Sequence, residues 1–438
     1  MLNAIFFIIV LLSILLAAAT GRMDALNQAI FDQAKAAVTL AINLVGVMAF
    51  FLGLMKVAED GGLLRSVARV ARPVMTRLFP GVPGDHPAMQ AMILNIASNM
   101  LGLANAATPF GIKAMEELDK LNSRKGTATN SMILFLAINT AGLAVLPSGV
   151  IGLRAALDSS DAAGIFFPTW FASGTATVVG VSMAFLLSRL PRYKATEPPA
   201  LTRRKTEAEH TDVADTGGEN ADDEVTLRKP RWAVAGGILF GTVFLVLLAR
   251  HFWISIGAEP TGDLVRSVLS YWMLPILVGS LVLFGWARGV KVFESLVEGA
   301  KEGFQVALRI IPFLVAILVA VGMLRASGGI DLIVAVLGPV TELIRMPAEA
   351  LPMAILRPLS GSGAYGVMAE IMSVHGPDSF IGYMVSTFQG STETTLYVIA
   401  VYFGAVGVKR TRHALPACLA ADVAGILAAV LIVNVLFG

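Results

Sequence analysis

The sequence predicts an all-α polytopic membrane protein of two inverted repeats, with re-entrant hairpins, broken helices and about nine crossings. Three observations predict it. First, the 438 residues are 56% hydrophobic and only 15% charged, with a mean hydropathy of +0.74. A soluble chain of this length could not cover itself with so few charges. Second, the apolar residues come in blocks of about 20, the length that crosses a bilayer as a helix. Third, one succession of features occurs twice along the chain.

The clear crossing helices are expected at 3–20, 36–55, 162–189, 232–250, 268–286, 304–324 and 414–437. The first has no basic stretch before it and matches the later spans in length, so it reads as a helix rather than a signal peptide. Two further crossings, 128–153 and 379–406, are apolar but interrupted by polar residues. Segments 87–122 and 349–374 are too broken for simple spans and read as re-entrant hairpins. Polar backbone at membrane depth is tolerated only where protein covers it or a cavity adjoins it. The stretch 191–230 holds "RRKTEAEHTDVADTGGENADDE" and has no apolar periodicity. It is expected to be a disordered linker between a first half, 1–190, and a second half, 231–438.

Lysine and arginine in short loops set the orientation. Arg189, Arg192, Lys194, Arg228, Lys229 and Arg231 put the linker in the cytoplasm. Lys56, Arg65, Arg69, Arg72 and Arg77 place the segment after the second helix inside; Arg288 and Lys291, and then Lys409, Arg410 and Arg412, do the same for their loops. The acidic loop 157–164 falls outside. These signs agree with a cytoplasmic N-terminus in a bacterial inner membrane.

The repeat shows when "LGLMKVAEDGGLL" (52–64) is set against "VGMLRASGGIDLI" (321–333). Gly53 meets Gly322, Lys56 meets Arg325, and a glycine pair follows in each. An amphipathic stretch comes next, and then Ser98 meets Ser360, Glu117 meets Glu370 and Asn139 meets Gln389. The two lead helices run in opposite directions by the orientation above, so the repeats are expected to be inverted. Inverted repeats with broken polar segments point to a binding site at the midplane.

Polar residues mark that site. In the first copy they are Asn95, Ser98, Asn99, Asn105 and Thr108, followed by Asn139 and Thr140. In the second they are Ser360 and Ser362, then Gln389, Ser391 and Thr392. Helix breaks free backbone N–H and C=O groups, which together with hydroxyls and amides can hold a polar solute. The same residues can instead bond helices together or satisfy kinks. Glu393 is the sharpest, because a carboxylate at membrane depth is costly. It would couple to H+ or Na+, or else pair with Arg357. Glu117 reads as a surface charge, and Glu370 stays open between the two roles.

Other chemistries find little support. One cysteine, Cys418, precludes an intrachain disulfide, and the five histidines lack metal-ligand spacing. "SGSGAYG" (360–366) lacks the Lys-Ser/Thr of a phosphate loop. No Ser-His-Asp constellation is visible, so an enzyme is not expected, and no cofactor is expected beyond the coupling ion. The net charge of +2 carries no nucleic-acid footprint.

"NIASNMLGLANAATPFGIKAMEEL" (95–118) closely resembles spore maturation protein A. "LRPLSGSGAYGVMAEIM" (356–372) and "FQGSTETTLYVIAVYFGAVGVKRTRHAL" (388–415) closely resemble spore maturation protein B. The chain thus resembles a fusion of the two, in the family carrying the nucleoside-recognition, or Gate, domain. That family is shared with ferrous-iron transporter permeases and concentrative nucleoside transporters. "GSTET" (390–394) is similar to the Gly-Gln-Thr-Glu hairpin motif of the nucleoside transporters, with Ser391 in place of the glutamine that helps hold the nucleobase. The resemblance implies a role in spore maturation and a transporter-like fold.

The leading expectation is a transporter or exporter of a small polar solute. The alternatives are a membrane scaffold or regulator of the envelope and, more weakly, a lipid-linked enzyme or flippase. The expected partners are the solute, the lipid bilayer and a second copy in a homodimer.

Overall fold

The structure, a computed structural model, describes residues 2–102, 104–143, 145, 147–198, 231–255 and 272–438. Most of the expected linker and the start of the span expected at 268–286 lie outside the described residues. Among these residues the regular elements are all helical, and one isolated bridge joins Thr127 to Arg410.

The first series is α1 (Leu2–Thr20), α2 (Met23–Asp60), α3 (Leu63–Leu78), α4 (Pro87–Met100), α5 (Ala104–Lys120), α6 (Asn130–Ala141), α7 (Ser148–Ala156), α8 (Phe166–Ser188) and the short α9 (Pro191–Lys194). The second is α10 (Arg231–Ser255), α11 (Met273–Ala287), α12 (Val292–Ala326), α13 (Gly329–Glu342), α14 (Leu351–Leu356), α15 (Gly361–His375), α16 (Phe380–Ser391), α17 (Thr395–Ala405) and α18 (Ala414–Phe437). A 3-10 turn at Ala348–Ala350 precedes α14.

From α2 and α12 onward the two series match element for element. A long helix leads to a glycine pair, an amphipathic helix, two pairs of short helices and a closing apolar helix. The local causes repeat as well. Gly62 and Gly328 take left-handed backbone with φ of 77° and 83°, open to glycine at no steric cost. The chain bends by 78° between 311–326 and α13. Thr129 caps α6 by accepting from the Met132 N–H at 3.2 Å. Ser379 caps α16 by accepting from the Gly382 N–H at 3.0 Å. Each such cap stabilises its helix by about 1 kcal/mol.

Among the described residues three helices, α2, α8 and α18, are long and apolar enough to cross a membrane, and the bent α12–α13 pair makes a fourth candidate. Their outer faces are apolar: Ile42 of α2, Val178 of α8 and Val435 of α18 are exposed by 62%, 66% and 69%. Lipid solvates such residues where water would not, so the chain is a membrane protein. At 38 and 35 residues, α2 and α12 run to roughly 50–57 Å at 1.5 Å per residue, well beyond the bilayer core. They lie along each other. Gly299 and Gly303 of α12 sit against Leu52, Gly53 and Ala49, where no side chain would fit, the close approach that small residues permit between membrane helices.

Side chains of both series share the same cores. One unites Leu44, Phe51, Ile151, Leu318, Met368, Phe388 and Val433. Another unites Met89, Met115, Phe135, Phe403 and Cys418. Helices α8 and α18 pack together, and α6 and α16 each pack on both.

An arginine from each series also grips the other. Arg154, at the end of α7, donates to the Pro377 carbonyl at 2.6 Å and to Asp378 at 2.9 Å, in the loop that opens α16. Arg412, just after α17, donates to the Ala128 carbonyl at 3.1 Å and to Asn130 at 2.8 Å, in the segment that opens α6. Arg412 holds a left-handed φ of 51°, a strain its further bonds to the Tyr193 carbonyl and Thr196 help to maintain.

Candidate functional site

Each expected hairpin or interrupted span is a pair of helices with a break. The breaks lie between Met100 and Ala104, Ala141 and Ser148, Leu356 and Gly361, and Ser391 and Thr395. Backbone bonds stitch them together. Val145 N–H donates to the Met100 carbonyl at 2.8 Å, and Leu396 N–H donates to the Pro358 carbonyl at 3.1 Å. Glu393 N–H then donates to the Thr140 carbonyl at 2.7 Å, joining the first series to the second. Carbonyls and amides freed by the breaks thus satisfy one another across the repeat.

The joint is tight at Gly142, whose φ is 56° and whose added Cβ would lie 2.9 Å from Glu393 Cγ. Gly142→Ala is therefore expected to cost at least about 1–2 kcal/mol from the left-handed backbone alone. Thermal unfolding of the purified variant measures it, and an unchanged midpoint would contradict this joint.

The polar residues singled out in the sequence divide by what they touch. Asn95 donates to the Ala107 carbonyl at 2.7 Å and to Tyr402 at 3.1 Å. Asn99 donates to Asn139 Oδ1 at 2.9 Å, and the Asn139 amide donates to the Phe135 carbonyl at 2.9 Å. These amides form one buried network across α4, α6 and α17. Ser98, Thr140 and Ser391 each donate to a carbonyl of the preceding turn, the helix-satisfying role open to such residues. Ser360 caps α15 by accepting from Gly363 N–H at 3.0 Å, and Ser362 is exposed on its first turn. Thr108 is half-buried on α5. Asn105 lies at the start of α5, with its side chain outside the described residues.

A second cluster surrounds the break at 392–394. Gln389 Oε1, Thr392 Oγ1 and Thr169 Oγ1 are buried and have no hydrogen-bond partner among the described residues, and the Thr395 hydroxyl and the Asp422 carboxyl are buried with only each other as neighbours in hydrogen bonding. Thr169 lies against Gly390, and Thr392 against Gly425 on α18. Buried polar atoms are nearly always paired, so a group of unpaired ones needs a reason. Arg357, with its side chain 4% exposed, reaches into this cluster. It donates to the Thr392 carbonyl and, at 3.4 Å, to Thr394. It also stands 3.8 Å from the Glu393 carboxylate, whose side chain is 51% exposed.

The charges differ in part from the sequence reading. Glu117, expected at the surface, is 5% exposed. Lys120 and Lys113 reach over it at 2.8 and 3.7 Å, so long lysine stems rather than water compensate it. Glu370 is gripped by Arg325 through two bonds of 2.7 and 3.1 Å, a pair between the two residues that follow the repeat's Lys56 and Glu117 positions.

Three residues of weight were not singled out. Asp422 sits within the apolar α18 and is 1% exposed; the rule that marked Glu393 marks it too. Tyr402 anchors the amide network, and a tyrosine hydroxyl in an apolar helix already requires a partner. Arg154 is fully buried, and nothing nearby in the sequence names Asp378 as its mate.

Residues 41–157 and 307–409 match the family described as Gate, nucleoside recognition. Those two segments fall on the two matching helix series. Spore maturation protein B of Bacillus subtilis (strain 168) is 48% identical over 170 residues, which are 39% of this chain and 96% of that protein. Spore maturation protein A of the same organism is 40% identical over 194 residues, 44% of this chain and 97% of that protein. Two nearly whole proteins, each matched by part of one chain, form the pattern of a fusion. With both Gate segments laid on its repeated helices, the chain belongs to the Gate nucleoside-recognition family and is similar to spore maturation proteins A and B joined end to end.

Proposed function

We propose that the protein moves a small polar solute across a bacterial inner membrane, binding it where the helix breaks of two inverted repeats meet. The observation that carries this reading is the group of buried oxygens of Gln389, Thr392 and Thr169, unpartnered among the described residues, beside the stitched breaks. Such groups can bond a polar molecule without first giving up bonds inside the protein. In this reading Glu393, half exposed in the break after α16, meets the solute and its coupling cation. The relatives' names tie them to spore maturation, and a solute-moving membrane protein is one way to serve it.

The test uses purified protein in lipid nanodiscs and a panel of nucleosides, small acids and amino acids, with and without Na+. A ligand at about 100 times its Kd stabilises the folded state by about 2.7 kcal/mol, readily seen as a raised melting midpoint. The expected result is one solute class that raises the midpoint in the wild type and loses most of its effect in Thr392→Val. Failure of every member of the panel would count against solute binding and favour the scaffold reading.

A further inference from the structure

The charges around the break do not balance. Arg357 is shared by two carboxylates, Glu393 at 3.8 Å and Asp422, whose charge it also faces. Its terminal nitrogens are already spent on the Thr392 carbonyl, Thr394 and Glu393. Asp422 itself is 1% exposed and, among the described residues, has no charged donor within bonding distance of either oxygen. The Thr395 hydroxyl stands beside it as its hydrogen-bonding neighbour. If both carboxylates were ionised, one buried guanidinium would face two negative charges, that of half-exposed Glu393 and that of buried Asp422. An ionised carboxylate without a charged donor at membrane depth is among the costliest arrangements a protein can hold.

Among the described residues the other groups nearby offer no second cation. Cys418 lies one turn before Asp422 on α18, and Tyr402 faces the Glu393 side. Helices α6 and α8, which pack against α18, carry no ionisable side chain over Asn130–Ala141 and Phe166–Ser188. Asp422 also lies beyond the residues matched by the family, which end at 409.

We propose that Asp422 carries a proton, and that this proton decides which carboxylate Arg357 serves. With the proton on, Asp422 is neutral, its O–H can donate to the Thr395 hydroxyl, and Arg357 stays with Glu393. With the proton off, the bare carboxylate draws Arg357 toward α18 and frees Glu393. The same movement releases the Thr392 carbonyl, so proton loss loosens the break between α16 and α17. This deepens the transport reading, on which its use for coupling rests, but the protonation itself is tested without any solute.

The experiment is infrared spectroscopy of the solute-free protein in nanodiscs across a pH series, with melting midpoints measured alongside. The wild type is expected to show the carbonyl band of a protonated carboxylic acid at neutral pH. The band should vanish in Asp422→Asn and persist in Glu393→Gln. Asp422→Asn should fold, because the amide copies the neutral acid, and its melting midpoint should lose the pH dependence that the wild type shows on the alkaline side. A band that survives in Asp422→Asn, or an Asp422→Asn protein that does not fold at neutral pH, would overturn the assignment. So would a Na+-dependent rise in midpoint at fixed pH that disappears in Asp422→Asn, since that would place a metal cation where the proton is assigned. Failure of the solute panel with the band assigned as expected would instead remove only the transport reading.

Discussion

Arg154→Met is expected to lower stability by roughly 3–5 kcal/mol, the range for breaking a buried ion pair from one side. The guanidinium is fully buried and serves five partners: the Pro377 and Asp161 carbonyls, Ser386, Ser159 and Asp378. It also lies over the Tyr383 ring, 4.3 Å from its centroid. Methionine fills much of the volume but leaves those carbonyls without a donor. Arg154→Lys should recover little, because three rotating donors do not replace a planar fork. Chemical unfolding in detergent micelles reads the loss, and a cost below about 1 kcal/mol would mean that the grip between the two series is incidental.

The same cluster sets an acid limit. Burial pushes the Asp378 carboxyl up, but hydrogen bonds from Ser159 and Ser160, and the charge of Arg154, outweigh it and hold the carboxyl below its usual range. A carboxyl depressed in the folded state adds stability above its unfolded value, near 3.9. That contribution is lost as the pH falls through the folded value. In Arg154→Met the depression shrinks, so this part of the acid dependence should flatten.

Arg357→Met is expected to cost roughly 1–3 kcal/mol near neutral pH, the penalty of leaving buried acceptors without donors. The acceptors are the Thr392 carbonyl and Thr394 Oγ1. The cost should then grow as the pH rises, because an ionised Asp422 would have no cation left to face. Adding Asp422→Asn to Arg357→Met should remove that growth while leaving the neutral-pH cost in place. Unfolding midpoints at several pH values separate these outcomes, and a cost independent of pH in Arg357→Met would break the link between the two residues.

The all-α polytopic class, and the four segments in which helices break, could be read from the residues in order. Apolar run length reports the bilayer directly, and the glycine pairs at 61–62 and 328–329 and the polar interruptions act on the backbone where they stand. The closing helix, expected at 414–437, is Ala414–Phe437 in the structure. The candidate site was legible in the same way only as two lists of polar residues. Which of them are spent on neighbours and which remain available was decided by packing. Asn95 and Tyr402 are 307 positions apart, and Arg154 and Asp378 are 224 apart. Helical periodicity says which face a residue occupies, not which distant helix that face meets. Asp422 shows the difference most plainly: its identity and apolar setting are in the sequence. Its burial beside Thr395 exists only because α18 closes against α8 and the break at 392–394.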